Sequence, residues 1–482
     1  MSISTNQSKK KKLPIIRLLA DILFMFAFIL LIPAILAYVM KEQAMWITFG
    51  IEAALCFIVT LTIRLKTSTG GMKQYHGAIA IALAWTIISL IASIPYRVSG
   101  LAWIDALFEA FSGWTDTGAS MIPAPETLPY SLGLFRAMSQ WLSGLGLVVL
   151  LLSLGGSSPR VMRRLFESEG RHEDFNTSTW KMGLTIVLIY FGYTLAGVLG
   201  MWAAGVPVFD AIVHTMTSLS TGGFSSNSIG IGIYGAIPTL ISILLMIAGG
   251  ISFSSHQALF SGNFKKFIDN PEVRTFAIIL IISSALGLLQ MQLAHIPLME
   301  NALDTIFYVV SAASTTGGHT TLALPETPDV FRFMLTVLMG IGASYGSATG
   351  GLKLWRVIIL GKIIYREVRA PFYPSGTILP VRMGHNVIQE NVVSKVAGYT
   401  MLYITVAMTG SLIFMMFGHT AIDSLFTVFS SQGNVGLTGM TAAMNFGMHP
   451  FLKLVLIFHM LIGRMEIFPL LYILVGLRNK NP

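Results

Sequence analysis

Four times in this chain an aspartate is followed, thirteen residues later, by a glycine in a Ser/Thr/Gly-rich turn: Asp105 to Gly118, Asp210 to Gly223, Asp304 to Gly317 and Asp423 to Gly436. The segments read WIDALFEAFSGWTDTGAS from Trp103, VFDAIVHTMTSLSTGGFS from Val208, ALDTIFYVVSAASTTGGHT from Ala302 and AIDSLFTVFSSQGNVGLTG from Ala421. Glycine lets a turn take φ > 0 and aim its carbonyls at a lumen. Four such turns around one axis would replace the hydration shell of a cation, and the partial negative charge at a helix C-terminus adds to the same field.

Each turn needs an element to carry it. Aspartate is a good helix N-cap, so each copy is expected to begin at its Asp and run for about nine mostly apolar or small residues. Ten helical residues rise only about 15 Å, half of a ~30 Å hydrocarbon core. Each copy is therefore predicted to be a half-helix that enters a membrane and stops inside it. Backbone that leaves a helix at that depth is tolerated only where it lines a water-filled cavity or is buried in protein.

The composition agrees with a membrane setting. The 482 residues are 54% hydrophobic and 11% charged, with a mean hydropathy of +0.71, which defines a polytopic membrane protein. The net charge of +9 would suit nucleic acid, but 25 of the 31 Lys and Arg fall in segments expected to be cytoplasmic. That is the positive-inside pattern, so the basicity reports orientation and excludes a nucleic-acid partner. The single cysteine, Cys56, cannot form an intramolecular disulfide, and the usual metal or redox sites have no ligands here. Leu13–Met40 is longer than a signal-peptide core and lacks a small-residue cleavage site, so it reads as a retained first span.

The expected fold is all-α and polytopic, with four parallel membrane–pore–membrane repeats around a central pore plus an N-terminal two-helix hairpin. Residues 1–70 form the hairpin, 71–172 repeat one, 173–270 repeat two, 271–385 repeat three and 386–482 repeat four. The spans are placed at Ile15–Met40, Trp46–Leu65, Tyr75–Ser99, Leu132–Leu154, Lys181–Ala204, Tyr234–Phe260, Arg274–Ile296, Asp329–Ile364, Val392–Phe417 and Pro450–Val475. Ten spans leave both termini in the cytoplasm. Two spans per repeat give every repeat one orientation and an axis along the membrane normal, unlike inverted-repeat transporters. Asp21 and Glu52 lie inside the hairpin and are read as structural, Asp21 close enough to the cytoplasmic end to snorkel.

One span breaks the pattern. Asp329–Ile364 is far longer than the roughly 20 residues that suffice, and its middle carries Gly340, Gly342, Gly346, Gly350 and Gly351. Glycine costs a helix about 1 kcal/mol per position, so the span is expected to unwind at mid-membrane and to block the path below the turns. Close helix packing through small residues is the alternative. No strand precedes these glycines and neither phosphate-loop spacing is met, which excludes nucleotide binding. Arg464, in the middle of the last span, needs a cavity or a partner and so has a functional or gating role by default. Glu466 points to another face of that helix, so the carbonyls of the broken span are its expected partners.

These features together resemble the Trk/Ktr/HKT superfamily of K+ transporters across essentially the whole chain. The carrying motifs are the turns TDTGAS, STGGFS, STTGGHT and GNVGLTG, the loop ending TGGLKLWR, and GRMEIF near the C-terminus. The two extra N-terminal spans look like the TrkH branch. The resemblance implies that Gly118, Gly223, Gly317 and Gly436 are filter glycines and that the carbonyls of Thr117, Gly222, Thr316 and Val435 flank a K+ site. In repeat two Gly222 could be the aligned glycine, but the thirteen-residue spacing favours Gly223. Glycine at position 118 argues for K+, because superfamily members that prefer Na+ carry serine there. The resemblance also makes Gly340–Gly351 the gate loop and Arg464 the barrier below the filter. It further implies a homodimer in the cell membrane with a cytosolic ring of RCK-type nucleotide-binding subunits.

Asp116 stands where the family usually has Thr, and His319 where an aromatic is common. Asp116 either concentrates cations at the outer mouth or joins a hydrogen-bond network behind the filter. His319 is read as a mouth residue without a transport role. The function expected is channel-like K+ uptake down its gradient without catalysis, with K+ as the only bound ion and no covalent cofactor. A Na+-permeable or Na+-coupled relative is the alternative. A membrane enzyme would need carboxylates or His clustered at one depth, whereas here the aspartates recur as helix caps. A receptor without transport would leave four filter turns with no purpose.

Overall fold

The computed structural model describes residues 11–68, 74–146, 179–374, 377, 379–383 and 386–465, and most of them are helical. The hairpin comes first. Pro14–Ile29 and Leu31–Val39 form one slightly interrupted 26-residue span, and Gln43–Lys66 returns antiparallel to it. Proline suits the first turn of the first helix, where no N–H is needed. Asp21 sits between Arg17 at 3.2 Å and Arg64 at 2.8 Å, tying the two helices together. Glu52 is buried mid-helix, and neither of its carboxylate oxygens has a hydrogen-bond partner.

The order long helix, short helix, second helix then recurs four times. It runs Gln74–Val98, Trp103–Trp114 and Tyr130–Leu145, then Thr179–Ala203, Val208–Ser220 and Ala236–Gly250. The third and fourth copies are Pro271–Leu293, Leu298–Ala313 and Asp329–Ile341, then Glu390–Met416, Ala421–Gln432 and Pro450–Met465. Among the described residues six helices are long and apolar enough to cross a membrane, or seven if one bent pair counts as a span. Two of the ten expected spans, 132–154 and 450–475, run on outside the described residues, as does Glu466.

The long helices are apolar outward. On Thr179–Ala203, Leu188, Phe191, Leu195 and Leu199 are exposed at helical spacing, an apolar stripe that suits a lipid environment. The short helices are buried instead. Trp114 packs edge-on against Phe26 of the hairpin with ring centroids 5.4 Å apart, and Phe49 packs on Phe135 at 5.1 Å, so the hairpin braces the first copy. Phe331, Leu335 and Met339 cluster with Phe426, joining the third copy to the fourth.

Three expectations are corrected. The aspartates are not N-caps: Asp105, Asp210 and Asp423 are the third residue of their helices, and Asp304 is the seventh. The caps are Ala102, Pro207, Pro297 and Thr420, and only Thr420 caps with its side chain, accepting from the Asp423 N–H at 3.2 Å. Tyr234–Phe260 is not one continuous helix, because the helix ends at Gly250 and the chain turns by 106° into Phe253–Phe260. The glycine-rich break begins and ends two residues later than expected. Helix persists through Ile341, which puts Gly340 inside it, and resumes at Leu354.

Candidate cation-coordinating site

The four short helices end in one backbone motif. The N–H of Thr117, Gly222, Thr316 and Val435 donates to the carbonyl five residues back, at 2.8, 2.9, 2.8 and 2.8 Å. This is a Schellman closure, which needs a left-handed residue just before the donor. Asp116, Thr221, Thr315 and Asn434 fill that place with φ of 58°, 64°, 54° and 52°. Asp and Asn tolerate it, but a β-branched threonine there costs on the order of 1–2 kcal/mol and persists only because its surroundings fix it. Gly118, Gly223, Gly317 and Gly436 follow with φ of 83°, 77°, 73° and 96°. Gly222 has no such φ, so Gly223 is the residue in register with the other three.

The turns close on one another in a ring. A methyl group added to Gly118 would overlap the carbonyl oxygen of Gly222; on Gly223 it would overlap that of Thr316, on Gly317 that of Val435, and on Gly436 that of Thr117. Each glycine thus abuts the carbonyl that precedes the glycine of the next turn, and the fourth returns to the first. Residues distant in sequence are gathered into a four-part array of backbone carbonyls, the hard oxygen ligands that suit an alkali cation.

Polar side chains pin this array from behind. Gln140 donates from Nε2 to the Gly222 carbonyl at 2.6 Å and accepts from the Phe224 N–H at 3.0 Å. Asn434 donates from Nδ2 to Thr117 Oγ1 at 3.0 Å and to the Met460 carbonyl at 2.9 Å. Hydroxyl pairs Thr115–Thr117 and Ser314–Thr316, each 2.7 Å, occur only in the first and third turns, which the ring order places opposite each other.

Ion pairs anchor the helices themselves. Asp105 meets Lys453 at 2.5 Å and Asp423 meets Arg332 at 2.7 Å, each tying a short helix to the second helix of a neighbouring copy. Asp304 instead accepts from Thr320 at 2.9 Å and Thr321 at 2.6 Å. Glu109 and Arg136 form a buried pair at 3.4 Å. Glu109 also accepts from Ser120 at 2.6 Å and from the Met121 N–H, while the Arg136 guanidinium lies 4.1 Å over the Phe224 ring and donates to the Ser225 carbonyl at 3.2 Å. The sequence reading did not single out Glu109, Arg136, Gln140, Arg332 or Lys453. The signal available was an ionisable or amide side chain inside an otherwise apolar helix.

A cavity of about 510 Å³ opens above the ring, lined by Gly118, Gly436, His319, Thr438 and Asn445. It also touches Pro125 and Leu324, in the short turns that lead to the second helices, so it lies on the side where the short helices begin. His319 lines this cavity, and Asp116 does not. Only 1% exposed, it faces away from this cavity toward Arg464, whose guanidinium is 3.8 Å from its carboxylate.

The glycine-rich segment 342–353 lies on the other side of the ring. Gly342, Gly346 and Gly351 have φ of 71°, 75° and 73°, and Lys353 has 74°. The Gly350 N–H donates to Thr315 Oγ1 at 2.9 Å, directly under the third turn, and a methyl group on Gly350 would overlap the Gly433 carbonyl. Backbone bonds Ser344 N–H to Gly250 at 3.1 Å, Ala348 N–H to Gly249 at 3.3 Å and Phe253 N–H to Gly346 at 3.3 Å mate the segment with the bend of the second copy. Arg464 donates to the Ala348 carbonyl at 3.1 Å and to the Ser143 carbonyl. One guanidinium thus joins the segment, the first copy's second helix and Asp116.

Comparison with known proteins agrees with this architecture. Residues 43–476 match the TrkH family, described as cation transport proteins. An uncharacterized cation transporter of Methanocaldococcus jannaschii is 29% identical over 478 residues, covering 98% of each chain. The Trk system potassium uptake protein TrkH of Escherichia coli K12 is 29% identical over 477 residues, covering 95% of this chain and 97% of its own. The crystal structure of the potassium transporter TrkH from Vibrio parahaemolyticus superposes with a TM-score of 0.82 at 26% identity, covering 96% of this chain and 98% of that one. The chain belongs to the TrkH family of cation transport proteins and is a membrane transporter, not an enzyme.

Proposed function

We propose that this protein carries K+ into the cell through a channel-like pore whose narrowest part is the ring of four glycine turns. The observation that carries the reading is the cyclic contact of Gly118, Gly223, Gly317 and Gly436 with the carbonyls of Gly222, Thr316, Val435 and Thr117. Those carbonyls, backed by half-helix C-termini, replace the water shell of the ion. The names of the E. coli and V. parahaemolyticus relatives support K+ as the ion. Segment 342–353 and Arg464 act as the gate below the ring, a reading supported by the Gly350–Thr315 bond and by the position of the guanidinium between three elements.

The charge distribution of the sequence supports a cell-membrane topology with cytoplasmic termini. The family resemblance supports a homodimer that works with a cytosolic ring of RCK-type nucleotide-binding subunits. The test is gradient-driven flux through the purified protein in liposomes, comparing K+, Rb+ and Na+. K+ and Rb+ fluxes far above that of Na+ are expected. Equal K+ and Na+ fluxes would move the protein to a Na+-permeable function.

A further inference from the structure

The bend after Gly250 creates an elbow that the transport reading does not use. The chain turns by 106° into Phe253–Phe260, makes the single-turn helix Phe264–Ile268, and re-enters as Pro271–Leu293, a helix long enough to cross a membrane. Because Pro271–Leu293 is long enough to cross a membrane, the residues that lead into its first turn lie at one membrane surface.

Its two faces differ in chemistry. Inward, Phe253, Ser255, His256 and Ala258 are buried, and His256 bonds the Ala248 carbonyl at 2.9 Å and the Tyr193 hydroxyl at 3.0 Å. Outward, Phe260 at the end of the first helix and Phe264 and Ile268 on the second have 63%, 61% and 57% of their surface exposed, with exposed Lys265 and Lys266 between the last two. An apolar ridge edged with lysines suits an interface at which aromatic and aliphatic groups enter the acyl region while ammonium groups meet phosphates. The chain continues from this ridge into the exposed Ile278, Ile281 and Ile282 of the next helix, the same lipid-facing surface at greater depth.

Both ends of the elbow also grip the glycine-rich segment. At its start, Gly249, Gly250 and Phe253 make three backbone bonds to residues 344–348. At its exit, the Glu272 carboxylate accepts from the Tyr345 N–H at 2.6 Å.

We propose that the 253–268 elbow is an interfacial anchor that docks on anionic phospholipid head groups, and that docking holds segment 342–353 under the ring. The first half stands on the elbow alone, and the second rests on the gate reading above. A docked elbow stabilises the arrangement described here, so anionic lipid lowers flux.

The sole cysteine permits a clean test: Cys56→Ser with Phe264→Cys, labelled with bimane and reconstituted into phosphatidylcholine vesicles with and without phosphatidylglycerol. Brominated lipid is expected to quench the label more than aqueous iodide does, and stronger quenching by iodide overturns the docking. In parallel, flux through the otherwise unmodified chain is expected to fall several-fold when phosphatidylglycerol is present. Lys265→Gln with Lys266→Gln removes that dependence, since each lysine at an anionic surface is worth roughly fivefold in partitioning. Flux indifferent to phosphatidylglycerol, with the label still in lipid, overturns the coupling. Deleting residues 343–349 separates the two readings: if that deletion fails to raise flux, the gate assignment has failed while the anchor stands on the quenching result.

Discussion

Serine at each of the four ring glycines tests the site most directly. Position 118 shows how the cost is reached. Its φ of 83° costs an L-residue about 1–2 kcal/mol. The new Cβ also falls on the Gly222 carbonyl oxygen, which must swing away and give up its 2.6 Å bond from Gln140, a further ~1 kcal/mol. A displaced carbonyl is one ligand lost from a site whose discrimination depends on ligand number and field. If the total of about 2–3 kcal/mol appears as lost preference for K+, the K+/Na+ ratio falls on the order of 30- to 100-fold, since ~1.4 kcal/mol is tenfold. The assay is paired K+ and Na+ flux in liposomes, with thermal melting as the check on folding. Gly361→Ala is the control, because a Cβ there meets nothing within 4 Å. Four folded serine variants that keep the parent ratio would refute the ring as the selective element.

Arg464→Ala removes the bond to the Ala348 carbonyl and is expected to raise K+ flux through the isolated protein; unchanged or lower flux in a folded protein counts against the gate. Asp116→Asn is expected to leave the half-saturating external K+ concentration unchanged at low ionic strength while altering flux through Arg464, because the carboxylate lies behind the ring. A raised half-saturating concentration would return Asp116 to the mouth. Arg136→Met strands the buried Glu109 charge, and loss of one partner of such a pair costs about 3–5 kcal/mol, seen as a lower melting temperature in detergent. Adding Glu109→Gln is expected to recover much of the loss, and a single variant that melts with the parent would show the pair to be energetically idle.

The spacing from Asp to Gly was legible because it is a local count, repeated four times, that periodicity and hydropathy both frame. The four glycines it picks out share a positive φ, and Gly223, not Gly222, is in backbone register with the other three. A break in the long span was legible from glycine density, though at 340–351 and not at the 342–353 where it falls. The role of the aspartates was not, because an Asp in the first turn and an Asp at the cap look alike in sequence, and the difference lies in partners such as Lys453 that are hundreds of residues away. The bend at Gly250 was missed although GGIS offered a cue, because the flanking segments are apolar enough to read as one span. For Asp116 the sequence left the outer mouth and a position behind the turn both open; its direction follows from the left-handed backbone of the turn, which hydropathy cannot report.

The ring is written four times within a single chain, and the copies are unequal: hydroxyl pairs back the first and third turns, and Gly222 and Val435 hold the equivalent places in the other two. In a ring assembled from four identical subunits, one codon change alters every quadrant at once and most changes are lethal to the site. Here a mutation edits one quadrant and leaves three as templates. If the ring selects the ion as proposed, its preference can be engineered in quarter steps, with three unaltered sets of carbonyls left at each step.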